Sequence, residues 1–579
     1  MSRHFRTMRL HGTASVLALS TAALIGSSAM QPANALDGIY GGGSSLVSLA
    51  MRQIMDCYGT PLDPNANPPA TCPLSPDVQG QYAAVGSGNG FRGFISNDPH
   101  QLFLGSPTPT IAMPAKPPVY VDETGGPLST YPYPNIDFGA SDSPLSSAAA
   151  PVTTSFVTFT PSANWVTTTT TFSPVTATGS VTTTYATAAF GAPIQLPLIE
   201  APVAIAINTN TLTVKSASST PSNAGGAIQL STAQICAIFS GAVTNWNSTG
   251  SISFINSSGA LSTQAFNAAN IGGGSSAAVA YSGSSLPIKV VHRSDGSGTS
   301  FIITNYLKSV CPQLDDGSNK YAQIFTGSLP SNSFSQLIAN INAAFPGAGR
   351  TTNWVATDGS QNVAQAINNS SGGSTFNGRI GYLSADFTQP YLSASVASYA
   401  PLSASVQNEA LRVAGTYLPA ASSGGSNAPT FIPPTPAGAD VAFGSLTVPA
   451  AGATHNDWNV YGQVWPATVN GGVTITGLSK LGIPTAANSY PIVGTAFGAA
   501  YSCYRADGGA IVRATRIKDF LNWYFEPDAT SPPANSVAKE ILAQNGFGAL
   551  PTALRAAART KANTIEAAGS GTCATMAGG

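Results

Sequence analysis

Arg293-Ser294-Asp295-Gly296-Ser297-Gly298-Thr299-Ser300-Phe301 stands between an apolar run, Ile288 to Val291, and a segment of helical spacing, Thr299 to Val310. A strand that turns through Gly, Ser and Thr into a helix leaves the first helical amides without intrahelical acceptors. It aims them, with the positive end of the helix dipole, at one spot. Glycine at such a turn lets a ligand approach the backbone closely. This turn also carries Arg293, whose planar fork matches an oxyanion, and Asp295, placed to hold that guanidinium. The reading is a strand–turn–helix unit that binds an anion.

A single turn of this kind in a chain rich in Ser and Gly is more often an ordinary capped helix. Two others shift the balance: Gly41-Gly42-Gly43-Ser44-Ser45-Leu46 and Val85-Gly86-Ser87-Gly88-Asn89-Gly90-Phe91. A fourth element, Asp137-Phe138-Gly139-Ala140-Ser141-Asp142-Ser143-Pro144-Leu145, contributes a carboxylate. Asp142 beside an anion is unfavourable unless the anion brings a proton. Phosphate near neutral pH carries one and sulfate does not, so one acceptor discriminates between them. The bland reading of Asp142 is a turn residue ahead of Pro144.

Outward from these turns the chain alternates strands and helices. Val203 to Ile207 reads as a buried strand, and Ser231 to Phe239 as a short helix opened by a serine cap. Gly378 to Leu383 reads as a strand, and Arg516 to Phe525 and Ser536 to Asn545 as amphipathic helices. Such alternation implies α/β layers with ligands at the strand ends. Between them lie insertions at about 57–72, 101–134, 150–195 and 400–475. The Thr-rich stretch from Thr153 to Thr187 carries Phe156, Phe159, Trp165 and Tyr185, which suits an exposed β-hairpin better than a mucin-like stalk.

Charged residues make up 8% of the 579 residues and the net charge is −1, which leaves no basic surplus for nucleic acid. Arg3, Arg6 and Arg9, an apolar run from Ala14 to Ile25, and Ala33-Asn34-Ala35 form a signal peptide over residues 1–35. The apolar run is too short to span a bilayer. Six cysteines in an exported chain, Cys57, Cys72, Cys236, Cys311, Cys503 and Cys573, imply three disulfides. Neighbour-to-neighbour pairing is the simplest arrangement, though the count alone leaves connectivity open. Nothing in their spacing argues for zinc, and no G-x-S-x-G elbow supports a serine hydrolase. His292 reads as a strand residue rather than a base. Arg379 and Lys289 are candidates for orienting the site from behind, and Trp246 and Trp523 read as core.

The chain resembles the phosphate-binding component of phosphate-specific ABC transporters, and most of all the DING proteins. The residues that carry the resemblance are 41–46, 85–90, 137–145 and 293–301. Ile238-Phe239-Ser240-Gly241-Ala242-Val243-Thr244-Asn245-Trp246, Gly378-Arg379-Ile380-Gly381-Tyr382, Tyr490-Pro491-Ile492 and Lys518-Asp519-Phe520-Leu521 add to it. The resemblance implies phosphate ligands at Ser45, Leu46 (by its backbone N–H), Ser87, Asp142, Arg293, Ser297, Gly298 and Thr299. Serine replaces the family's usual threonine at position 45, and Asp37-Gly38-Ile39-Tyr40 departs from the DING start.

The implied fold is α/β: a two-lobed periplasmic binding protein of the type II, Venus-flytrap kind, with β-rich loop insertions. Lobe one is expected over 36–198 and 493–579, and lobe two over 199–492. The implied function is capture of inorganic phosphate between the lobes, for delivery to an inner-membrane ABC permease. The expected protein is a periplasmic or secreted monomer with no cofactor and no enzymatic activity. A weak phosphatase and a surface adhesion protein on the same fold are the alternatives.

Overall fold

A computed structural model describes residues 37–61, 68–103, 135–146, 153–160, 176–212, 228–255, 261–266, 281–368, 373–388, 401–408, 431–465, 469–470, 473–474, 477–484, 486, 488–507, 512–528 and 536–579. The signal peptide, the Pro-rich stretch from Pro107 to Pro134 and most of the 400–475 insertion ahead of Phe431 lie outside the described residues.

The strands that build the two main sheets follow in chain order. They are β1 Asp37–Gly43, β2 Val78–Ala83, β3 Phe138–Ser141, β4 Ile194–Pro197, β5 Ala201–Ile207, β6 Lys289–Arg293, β7 Val355–Thr357, β8 Arg379–Ser384, β9 Leu402–Ser403, β10 Val493–Gly494 and β11 Phe497–Ala500. The helices used below are α1 Ser48–Tyr58, α2 Ser87–Ser96, α3 Gly298–Val310, α4 Ser360–Ile367 and α5 Thr552–Ala562.

The first sheet has the order β2-β1-β3-β11-β4, and the second β7-β6-β8-β5-β9, with β10 also on β5. In the first, β1 runs parallel to both β2 and β3, with Gly41 opposite Phe138, and β11 is antiparallel to β3 and β4. In the second, β6 is parallel to β7 and β8, while β5 is antiparallel to β8. Every residue of β5 is buried, as expected of a strand covered on both faces. Each of Val203, Ile205 and Ile207 stabilises the fold by roughly 1.5–3 kcal/mol through burial.

Among the described residues the chain crosses between the sheets twice, from β4 to β5 and from β10 to β11. The crossings are tied side by side: Leu198 N donates to Ala496 O at 2.8 Å and Thr495 Oγ1 to Ile199 O at 2.6 Å. This is the two-lobed α/β arrangement the sequence implied.

Local signals translate directly. The helix Thr232–Phe239 opens on Ser231, whose hydroxyl accepts from Gln234 N while the Gln234 side chain caps Ser231 N. Arg513–Tyr524 and Val537–Gln544 form the two C-terminal amphipathic helices, the first beginning three residues earlier than its spacing suggested. In the Thr-rich stretch, Thr153–Thr160 pairs antiparallel with Thr176–Thr184; residues 161–175, with Trp165, lie outside the described residues. Trp246 is fully buried and its Nε1 donates to Gly378 O, whereas Trp523 is only partly buried, 5.2 Å from Tyr58. Disulfides join Cys57 to Cys72, Cys236 to Cys311 and Cys503 to Cys573.

Candidate anion-binding site

The turns singled out in the sequence come together where the two sheets face each other. β6 leads into α3, whose N-cap Ser297 accepts from Ser300 N through its hydroxyl. That bond satisfies one of the first amides and leaves those of Gly298 and Thr299 pointing off the helix end. Ser297 N itself donates to Asn332 O at 2.9 Å. From the opposite sheet, β2 leads into α2, which begins at Ser87; β1 leads through Ser44 and Ser45 into α1; β3 delivers Asp142. Gly43, at φ +135°, makes the bend ahead of Ser44, where an added Cβ would lie 2.0 Å from Ala140 O.

Asp142 is 1% exposed, and its Oδ1 has no hydrogen-bond partner among the described residues. Its amide donates to Ser87 Oγ at 3.2 Å, which pins α2 to the end of β3. The carboxyl lies against Gly298: a Cβ there would be 2.2 Å from Asp142 Cβ, so only glycine lets the two lobes meet at this point. Burial pushes the Asp142 carboxyl up to about 7, against the pull of Ser44, Arg293 and Ser87. Thr299 Oγ1 is a second buried oxygen without a partner among the described residues.

Arg293, 2% exposed, is held from several sides. Its Nε and Nη2 grip Asp295 at 2.6 and 2.5 Å, its Nη1 donates to Ser360 Oγ at 3.2 Å, and its Nη2 also donates to Ser45 Oγ at 3.2 Å. Burial opposes ionisation of Asp295, but the Arg293 guanidinium and the Gly359 amide hold its carboxyl below the usual range. The Arg293–Ser45 bond joins the lobes, as does Asn332 Nδ2 donating to Ser143 Oγ at 2.9 Å. The cleft is closed in this structure.

Ser45, Ser87, Asp142, Arg293, Ser297, Gly298 and Thr299 therefore gather in one place. Leu46 is beside them, but its amide donates to Ser44 Oγ at 3.1 Å, a bond within the turn. Three neighbours escaped the sequence reading. Ser360 opens α4 after Gly359, the same Gly–Ser helix start as the other turns, and that pattern could have found it. Tyr382, whose Oη accepts from Arg293 N and pairs with Ser300 Oγ, lay within a quoted motif without a role. Asn332 carried no local signal.

His292 is stacked on Phe334 with ring centres 5.1 Å apart, and burial lowers its pKa, as befits a strand residue. The Arg379 guanidinium lies over the Phe376 ring and its Nη1 donates to Ala366 O, while Lys289 Nζ donates to Thr375 O; both stand away from the turns. Among the described residues no group of three or more His, Cys, Asp or Glu side chains could hold a metal.

A PBP superfamily domain matches residues 170–528. The chain belongs to the PBP superfamily. A phosphate-binding protein from an unknown prokaryotic organism is 24% identical over 352 residues, 60% of this superfamily member and 71% of that protein. The alkaline phosphatase L of Pseudomonas aeruginosa is 23% identical over 394 residues, 66% and 72% of the two chains. Among solved structures, a high-affinity periplasmic phosphate-binding protein (PfluDING) with bound phosphate is 22% identical, with a TM-score of 0.49 over 90% of this PBP-superfamily chain and 92% of that one.

Proposed function

We propose that this protein is a receptor for inorganic phosphate, held between its lobes by Ser45, the Leu46 amide, Ser87, Asp142, Arg293, Ser297, Gly298 and Thr299. The observation that carries the reading is a pair of buried oxygens without partners among the described residues, Asp142 Oδ1 and Thr299 Oγ1, at a helix start beside a buried arginine. One of these is a carboxyl that can accept or give a proton, the other a hydroxyl, and both border free helical amides. A singly protonated tetrahedral oxyanion matches that set: its oxygens take the N–H and O–H donors, and its proton meets Asp142. Names of relatives support the same reading.

The receptor is exported, works as a monomer and hands its phosphate to an inner-membrane permease. Among the described residues no helix is long and apolar enough to cross a membrane. Calorimetric titration of the purified protein with phosphate and with sulfate tests the proposal; binding of phosphate with little or no binding of sulfate is the expected result. Equal affinity for both anions, or none for phosphate, overturns it. In view of the P. aeruginosa relative's name, a phosphate-monoester assay on the same sample checks that the ligand is bound and released unchanged.

A further inference from the structure

We propose that residues 444–465 form a strap that holds the two lobes together across the hinge side of the cleft, with His455 as its latch on the turn that carries Asp142. The proposal rests on the reading of the cleft as a phosphate site and adds a control on release.

The strap follows the helix Pro436–Phe443 and is rooted on the second lobe. Lys480 Nζ donates to Ser445 O and Thr447 Oγ1, and Gln463 closes the base of the loop with bonds to and from the Thr447 backbone. Trp458 and Val460 are buried, and the Tyr461 ring meets Phe301 of α3 edge-on at 5.1 Å. From these roots the strap reaches the first lobe at four points. Lys561 of α5 donates to Ala453 O at 2.8 Å. The Tyr461 ring lies 5.8 Å from Phe497 of β11. Tyr461 Oη accepts from Thr495 N at 2.9 Å and donates to Thr495 O, fastening the strap to a crossing strand.

The fourth point is a ring of hydrogen bonds around His455, which is 6% exposed. His455 Nε2 donates to Ser146 O at 2.8 Å; Gln195 Nε2 donates to His455 O at 2.9 Å; Gln195 Oε1 accepts from Leu145 N at 2.6 Å. Asp142 lies three residues before Leu145 on the same turn. Opening the cleft by moving α3 away from β3 therefore strains either this ring or the packing of Tyr461 on α3. Because packed interfaces switch between discrete states, the strap favours the closed one and slows ligand loss.

The test measures phosphate release by stopped flow from wild type, His455→Ala, His455→Gln and Tyr461→Phe. It also measures the distance between spin labels at Ala343→Cys and Thr560→Cys in phosphate-free protein. With the strap as proposed, His455→Ala releases phosphate roughly 3- to 10-fold faster, the worth of one buried hydrogen bond, with little change in association. His455→Gln, whose amide nitrogen can take the place of Nε2, restores the wild-type rate. If His455→Ala fails to fold, Tyr461→Phe, which loses only the Thr495 bonds, carries the same expectation. Unchanged release in these variants overturns the strap. A wild type that binds no phosphate overturns the receptor reading instead, and the label distance still decides the strap. A phosphate-free wild type confined to the closed distance while His455→Ala spreads to longer ones supports it; equal distributions refute it.

Discussion

Asp142 sits in the closed cleft with its carboxyl at about 7 because burial disfavours its ionised form more than Ser44, Arg293 and Ser87 favour it. In an unfolded chain the same group titrates near 4. Between those values the folded protein holds the extra proton, so the stability of the phosphate-free protein falls as pH rises from about 4 to about 7. The fall is on the order of 4 kcal/mol for this group. Chemical denaturation across that range checks the slope, which Asp142→Asn flattens. The same substitution exchanges an acceptor for a donor, so it narrows the gap between phosphate and sulfate, chiefly by admitting sulfate. Titrating both proteins with both anions at one pH and salt decides this; retained discrimination would leave Asp142 as a turn residue. Arg293→Lys keeps the charge but loses the fork held by Asp295, Ser360 and Ser45, and is expected to weaken phosphate binding by about 1–3 kcal/mol. These two residues were legible because their chemistry is unusual for a Gly/Ser turn. Ser360 was legible only as one more Gly–Ser helix start, and Asn332 not at all, since a loop asparagine is informative only once the fold sets it against Ser143 and Ser297.

Helix starts are the elements that make the site, and Gly298 is the tightest of them. A methyl at that position meets Asp142 at less than contact distance, so Gly298→Ala has to push the lobes apart at strain of about 1–3 kcal/mol. Phosphate affinity falls roughly tenfold or more, while α3, which alanine favours, stays intact by circular dichroism. The crossing between β4 and β5 holds a second unusual acid. Glu200 is fully buried, and neither carboxyl oxygen has a partner among the described residues. Burial and the nearby Asp440 raise its pKa well above the ordinary value, against Arg555 and Lys539. A raised folded pKa means stability is lost as pH rises, so Glu200→Gln is expected to stabilise the protein above neutral pH and to change little in acid. At this scale the sequence was most readable where one signal acts alone, as in the Ser231 cap or the apolar run of β5. The strap at 444–465 could not be read: Tyr461 on Phe301, Ala453 with Lys561 and His455 on Ser146 join residues a hundred or more positions apart, and local patterning says nothing of such partners.

Across the whole molecule three disulfides close spans of 15, 75 and 70 residues. By loop-closure entropy they disfavour the unfolded chain by about 3 kcal/mol for the shortest and between about 4 and 5 for each of the others. Intact-mass measurement of the unreduced protein is expected to find no free thiol, and reduction to lower the unfolding midpoint markedly; two or more free thiols would contradict the pairing. The order of the first sheet has another consequence, for a chain made from one end to the other. β11 lies between β3 and β4, yet it is synthesised some three hundred residues after them. Until residue 500 emerges, β3 is an edge and β4 has no described strand to pair with, while the second sheet, except for its marginal strand β10, is already whole. The later-encoded lobe therefore has every part it needs first, and the lobe that begins the chain is the last to close around its core.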